Sequence, residues 1–406
     1  MRVHRALLIL LLISAVAAPA TADDQVVAIK AGKVLPVSGE PIDKGIILIK
    51  GGKIAGIGPN VTIPEGATVI DAGAGVAMPG LVDARAVCPI RGELNEQSDE
   101  ITPAFHISMA IDPKSKLLKH SLQNGITTLY VSPGGDNVIS GLGAVLKPVG
   151  KTAAEMIVKD DAALHITMGS DSTYGNDIPW RSPPTNFYYR RPGTTMAVAW
   201  MLRKSLFDAQ KYAEAHKQAD PAMEVLVTAL KGGIPIRMIA RRAIDIRTAF
   251  RIADEYGLKI ILDECTEGYK VPELIAGKQT TVVLGPFYYY PRTMSQYYEG
   301  RECNWNNAGI LAKAGVKVVL SCGADPDAAD LLTAAVFAVR HGMPADQAIK
   351  AITVTPAELL GVADRVGTLV EGKDADILIL SGEPLASTSR VQRVLVNGRT
   401  VYQAEQ

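Results

Sequence analysis

Cysteine is scarce in this chain. Its 406 residues include four, at Cys88, Cys265, Cys303 and Cys322, and no CxxC spacing occurs among them. So few thiols in so long a chain do not make a disulfide scaffold, and their spacing specifies no connectivity. An excess of charge of either sign is also missing: Lys plus Arg and Asp plus Glu each total 42. That balance provides no basic surface for a nucleic acid and no long-range steering field. No GxGxxG loop follows an apolar run, which disfavours a dinucleotide fold, and no Gly-x-Ser-x-Gly elbow offers a hydroxyl nucleophile. Beyond the N-terminus, no apolar stretch approaches the roughly 20 residues a bilayer span requires.

The remaining composition is that of an ordinary globular protein, 48% apolar and 21% charged. Residues 1–22 form a separate unit. Arg2 and Arg5 precede an apolar run from Ala6 to Ala17, and Ala20-Thr21-Ala22 follows as a small-x-small cleavage site before Asp23. This layout predicts a secretory signal peptide, hence an exported, periplasmic or secreted protein. Removing it leaves 40 basic against 42 acidic groups, because Arg2 and Arg5 are its only formally charged side chains.

Residues 25–79 read as short strands and turns, with Gly-Gly and Gly-Pro between apolar runs. The C-terminal end has the same character, and its Asn397-Gly398 is a hairpin-turn pair. Strand-rich ends around a different middle predict one small β-sandwich domain built from 23–79 and 361–406. Residues 80–360 alternate strand and helix. Apolar runs lie at 126–132, 164–168, 234–239, 258–263, 281–284 and 316–320, with helical spacing between them. Asp245 is the expected N-cap of one such helix and Gly257 its left-handed stop. Repeated strand–helix units predict a parallel α/β sheet closed as a (β/α) TIM-like barrel. Two stretches break this rhythm, 170–194 and 286–305. They carry eight of the thirteen tyrosines, including Tyr188, Tyr189, Tyr288 and Tyr289, and read as ordered rims over the C-terminal face of the barrel. These four tyrosines are candidate ligand contacts.

The run Ala77-Met78-Pro79-Gly80-Leu81-Val82-Asp83 resembles the signature of the amidohydrolase superfamily, nearest to its imidazolonepropionase-like and Xaa-Pro dipeptidase-like members. Residues 125–128, 137–141, 265–271, 353–357 and 366–376 carry further matching stretches, so the likeness covers nearly all of residues 25–402. The resemblance implies a barrel hydrolase acting on C–N bonds through zinc held by His and Asp at strand ends. At the positions where such relatives hold the ion, this chain has Arg85, Val87, Ile239, Arg241, Glu264, Tyr269 and Gly323. Arginine and valine offer a metal no lone pair. The resemblance therefore implies a chain without its zinc or any other cofactor, catalytically degenerate, acting as a ligand-binding or partner subunit. As such it assembles with itself or with an active homologue.

Other chemistry is weighed against this expectation. Of His106, His120, His165, His216 and His341, three (His120, His216 and His341) fall in helical or polar segments away from strand ends, and His165 lies in a strand whose neighbours are not ligand types at a metal spacing; Cys88, Cys265 and Cys322 sit one residue out of phase with the ligand positions. Ser170-Asp171-Ser172 has no histidine near it in sequence. Glu264 and Asp325 are the weak candidates for an acid–base pair in a still active hydrolase. A third reading makes the chain a small-molecule or glycan binder through its aromatic loops. Arg85 and Arg241 are also candidate ligand contacts. The resemblance implies that their strand ends converge with that of Glu264 on one site, and because a buried guanidinium needs a carboxylate, an Arg85–Glu264–Arg241 cluster is expected there, with Asp325 as a fourth member.

Overall fold

The computed structural model describes residues 26–86, 89–90, 94–96, 98–173, 192–215, 218–285, 302–323 and 330–405. Two sheets near the chain ends form a sandwich. One has the order β5-β4-β1-β6, with β1 Val27–Lys30, β4 Ile46–Lys50, β5 Lys53–Gly58 and β6 Thr68–Asp71. The other has the order β18-β17-β16-β7-β2-β3. It joins β2 Lys33–Val34, β3 Ile42–Asp43 and β7 Val76–Pro79 to β16 Ile377–Leu380, β17 Val391–Val396 and β18 Arg399–Gln403. Both ends of the chain thus contribute strands to one sheet. Alternation drives this packing: Ile47 and Ile49 on β4 and Ile54 on β5 are buried, whereas Lys53 and Ala55 face solvent. Their isoleucines meet Ala77, Ile377, Ile379 and Leu395 of the second sheet in a single core. Asn397 and Gly398 both take positive φ in the two-residue turn between β17 and β18.

The third sheet is the barrel wall, eight strands in the order β15-β14-β13-β12-β11-β10-β9-β8. Its members are β8 Leu81–Asp83, β9 Ile126–Val131, β10 Ile139–Leu146, β11 Ile157–Thr167, β12 Ile236–Ile239, β13 Ile260–Asp263, β14 Val282–Leu284 and β15 Val318–Leu320. Seven of them run one way. The wall departs from the expected all-parallel pattern at β10, which pairs antiparallel with both β9 and β11. Residues 137–141 drew notice as a motif and not as a strand. Yet β10 is buried at every position, and fully buried strands show no period-2 signal. Between the edge strands, Ala351 and Ile352 accept hydrogen bonds from Leu320 of β15 and Val82 of β8. Inside the wall, Ala84 packs with Val283 and Val319, so the sheet curls until its first strand faces its last two. Outside, Leu129, Ile166, Met238, Leu262 and Leu320 join the main core with helices such as Thr195–Ala215 and Ala243–Tyr256.

Local details follow from backbone requirements. Gly80 passes Thr127 so closely that a Cβ would lie 2.2 Å from its hydroxyl oxygen. The helix Ala243–Tyr256 ends at Gly257 in the left-handed region, as its sequence predicts. Its start corrects the expectation for Asp245. The N-cap is Arg242, and Asp245 lies in the first turn, where it accepts a hydrogen bond from Arg242 Nε at 2.8 Å. A carboxylate there still complements the positive end of the helix.

Lys147, just past β10 and 4% exposed, ties the barrel to the sandwich. Its ammonium donates to Asp374 at 2.9 Å, Asp376 at 3.0 Å and Asn397 at 2.6 Å. Arg365 adds a second cation to Asp374 at 2.8 Å. Burial opposes ionisation of Asp374, but Lys147 and Arg365 prevail and hold its carboxyl at about 2, below its ordinary 3.8. Its stabilising contribution is therefore complete above pH 4 and lost as pH falls through about 2. Replacing Lys147 with methionine leaves the buried Asp376 without its cation, while Asp374 keeps Arg365 and, at 3.2 Å, Lys53. We expect a loss of about 3–5 kcal/mol in urea denaturation at pH 7. A loss below about 1 kcal/mol would show that the cluster does not hold the two domains together.

Candidate functional site

Strand polarity brings the site residues together. β8, β11, β12 and β13 all point the same way, so the residues just beyond their C-terminal ends share one mouth. Arg85 follows β8, Asp171 follows β11, Arg241 follows β12 and Glu264 follows β13. Arg85 Nη2 reaches Glu264 Oε1 at 2.6 Å. Arg241 donates through Nε to the other oxygen of the same carboxylate. The Arg85–Glu264–Arg241 contact expected from the sequence therefore forms. The described fourth member is Asp171, which takes a 2.6 Å bond from Arg241 Nη2. In the sequence it stands between Ser170 and Ser172 in one of the two irregular stretches, with nothing local to point to an arginine partner. Ser172 donates to the Gly169 carbonyl, and residues 171–173 form a short 3-10 turn. Asp325, Val87, Tyr188, Tyr189, Tyr288 and Tyr289 lie outside the described residues, as do Cys88, His216 and most of both aromatic stretches.

Glu264 and Cys265 both adopt positive φ, 68° and 41°. Two consecutive non-glycine residues in the left-handed region cost of order 1–3 kcal/mol each. The turn aims the Glu264 carboxylate at the mouth and sends the Cys265 side chain into the apolar core. Burial raises the Cys265 thiol above its usual range. Cys265 and Cys322 are both buried thiols.

Beneath the mouth lies a second charged layer that the sequence reading did not assemble. His165 on β11, Arg237 on β12 and Ile261 on β13 are register partners, and Ile261 belongs to the inner face. His165 and Arg237 therefore point into the barrel. Asp263, two residues beyond Ile261 and so on the same face, in register with Ile239 and Thr167, meets both. Arg237 binds Asp263 through Nε at 3.0 Å and Nη2 at 2.7 Å, a two-pronged pair, while its guanidinium carbon lies 4.1 Å over the Tyr130 ring. Tyr130 fits there because Gly143 has no side chain: a Cβ would lie 2.3 Å from the phenol oxygen. His165 Nε2 is 3.4 Å from Arg85 Nη1 and 3.9 Å from Asp263 Oδ2. Burial, then Arg85 and Arg237, drive the His165 pKa well below its ordinary value, so the ring is neutral at pH 7. A polar side chain inside an apolar run, charged in Ile236-Arg237-Met238 and neutral in Leu164-His165-Ile166, was the available signal. Both faces of such a strand are buried, so its charge must find a partner.

The other described positions matched to the family's ion site are not drawn into this network. Ile239 is a buried apolar wall residue, and the Gly323 N–H donates to Ser321 Oγ at 3.0 Å. Tyr269 is half-buried and gives its hydroxyl to the Glu302 carbonyl at 2.9 Å. Asp83 sits on the other face of β8 beside the Cys322 thiol. Burial pushes its carboxyl up to about 7, although the Arg85 backbone N–H and Cys322 favour the charged form. Among the described residues, three His, Cys, Asp or Glu side chains come close enough to share an ion at one place, exposed His106, Asp160 and Asp161. His106 and Asp161 already bond each other there at 2.6 Å.

Residues 247–401 match the model of the Amidohydrolase family. The crystal structure of an amidohydrolase from Thermotoga maritima MSB8 superposes with a TM-score of 0.84 at 30% identity, covering 93% of this chain and 100% of that one. Imidazolonepropionase of Thermoplasma acidophilum is 24% identical over 362 residues, 82% of either chain. Amidohydrolase tasK of Hapsidospora irregularis is 22% identical over 417 residues, 88% of this chain, and the chain spans 40% of that protein's length.

Two outcomes test the electrostatics. Glu264→Ala leaves Arg85 without its nearest carboxylate, and thermal or urea unfolding should register a loss of about 3–5 kcal/mol. A change within about 0.5 kcal/mol would mean that Glu264 is merely solvated. Asp83 has a raised folded pKa, so the folded state binds the extra proton between pH 3.8 and about 7, and stability falls as pH rises through that window. Asp83→Asn should flatten that part of the stability–pH profile. An unchanged slope would show that Asp83 ionises as it does in the unfolded chain.

Proposed function

This chain belongs to the amidohydrolase superfamily of hydrolases, and we propose that it is a member in which ion pairs replace the catalytic metal. In this reading it binds a ligand at the barrel mouth and does not hydrolyse one. The observation that carries it is the sharing of one carboxylate, Glu264, by two guanidiniums, Arg85 and Arg241, at the positions where metal ligands are expected. Arginine stays protonated and has no lone pair to give, so neither side chain serves an ion or acts as a base. The local charge is already balanced, with Arg85, Arg237 and Arg241 set against Asp171, Asp263 and Glu264. A divalent cation here would have to take carboxylates away from guanidiniums and then lie against those guanidiniums. This donor set does not fit zinc.

The same set is poor at activating water without a metal. His165 is neutral but buried and receives an N–H from Arg85. The carboxylate of Glu264 is occupied at both oxygens. Export through residues 1–22, and assembly with itself or with an active homologue, complete the proposed role. Both rest on sequence alone, because residues 1–25 lie outside the described part. No helix among the described residues is long and apolar enough to cross a membrane.

Elemental analysis of the full chain, purified without chelators, decides the metal question. We expect zinc, manganese and iron each well below one per chain, and no amide or imidazolone hydrolysis when these ions are added back. One equivalent of any of them, with turnover that chelation removes, would overturn the proposal.

A further inference from the structure

The helix Thr195–Ala215 carries large apolar side chains on its outer face, where a helix packed on a barrel is ordinarily polar. Its inner face is accounted for: Val198, Leu202, Leu206 and Ala209 are buried in the main core. Met196, Trp200 and Phe207 lie on the opposite side and are 77%, 62% and 51% exposed. Steps of four and seven residues keep the three on one stripe. Charges of both signs share that stripe. Lys204 pairs with Asp208 one turn on. Lys211 pairs with Glu214 at 2.8 Å and stands 5.7 Å from the centre of the Phe207 ring. The helix is fixed from behind, since Arg203 binds Glu255 at 2.7 Å and its carbonyl accepts the Tyr256 hydroxyl at 2.9 Å.

We propose that this stripe is an interface between two copies of the chain, paired antiparallel about a two-fold axis level with Leu206. Such an axis sets each residue opposite the one equally far beyond Leu206 on the other copy. Phe207 then lies beside the second copy's Phe207. Trp200 comes next to the second copy's Lys211, whose stem covers the ring while its ammonium faces it. Lys204 falls opposite the second copy's Asp208, and Asp208 opposite the second copy's Lys204, both on the same side of the stripe. Each contact between unlike residues is made twice, because the surface is its own partner. Charge selects a second copy over other occupants. Two cations and two acids on one stripe offer no single sign to an anionic membrane or an acidic protein, whereas in the antiparallel pairing they complement each other. The inference rests on the self-assembly part of the proposed role and is independent of its metal-free part.

Sedimentation equilibrium of the purified chain at micromolar concentration is expected to show a dimer. Phe207→Asp sets like charges across the axis and should raise the dissociation constant about thirtyfold, with an unchanged circular dichroism spectrum. Trp200→Ser is the second variant, should the first not fold, with the same expectation. Charge exchange tests the register. Lys204→Asp and Asp208→Lys each oppose like charges when alone and should weaken self-association. Mixed in equal amounts, the two variants regain opposite signs across the axis and should pair with each other. An assembly that Phe207→Asp and Trp200→Ser leave intact, or charge variants whose mixture does not pair, overturns this inference and leaves self-assembly standing. A wild-type monomer overturns both, and one that sediments with phosphatidylcholine–phosphatidylserine vesicles gives the stripe to a membrane surface.

Discussion

A guanidinium inside a barrel must be given a carboxylate, and most of what distinguishes this molecule follows from that requirement. Moving a charge out of water costs several kcal/mol even after relaxation, and an unpaired buried arginine cannot escape by losing its proton. Arg85, Arg237 and Arg241 are each at most 7% exposed, so each has an acid within reach: Glu264, Asp263, and Glu264 with Asp171. The strained turn at Glu264 and Cys265 makes sense in this setting. It is the local cost of aiming one carboxylate at two cations.

This network also fixes what chemistry the mouth retains. A bound divalent cation can be lost or exchanged and polarises whatever it touches. Here the positive charge is delivered by side chains anchored on strands, spread over planar groups and neutralised by neighbours. Such a site holds shape and offers directional donors. In the proposed reading it does not lower the pKa of a water, and His165 is kept neutral first by its burial and then by Arg85 and Arg237.

The second buried ionic cluster, at Lys147, does a different job with the same physics. It lies where the barrel meets the sandwich, so its partners Asp374, Asp376 and Asn397 come from a segment far along the chain. Burial alone would favour neutral carboxyls. With the ammonium of Lys147 and the guanidinium of Arg365 in place, Asp374 stays ionised. Asp376, which is more deeply buried, is pushed the other way. Hydrophobic contact brings the two domains together without specifying orientation, whereas these directional bonds are made in one arrangement.

Much of the architecture was legible in one dimension because it depends on local rules. Alternating isoleucines mark the sandwich strands, Asn397-Gly398 marks its hairpin, Gly257 marks a helix end, and the run from Ala77 to Asp83 marks the entry to the barrel. Arg85, Arg241 and Glu264 were placed at converging strand ends by the family resemblance and not by local rules, and their charges then called for pairing. What the sequence could not reveal depends on register and closure. The antiparallel β10 is apolar along its whole length and carries no period. The N-cap at Arg242 in place of Asp245 depends on where the loop after β12 turns. Arg237, His165, Asp263 and Tyr130 are 133 residues apart at their extremes and become neighbours only when parallel strands align side by side and curl. Periodicity records which residues are buried. Which buried charge faces which is decided by the pairing of strands, and that exists only in the folded barrel.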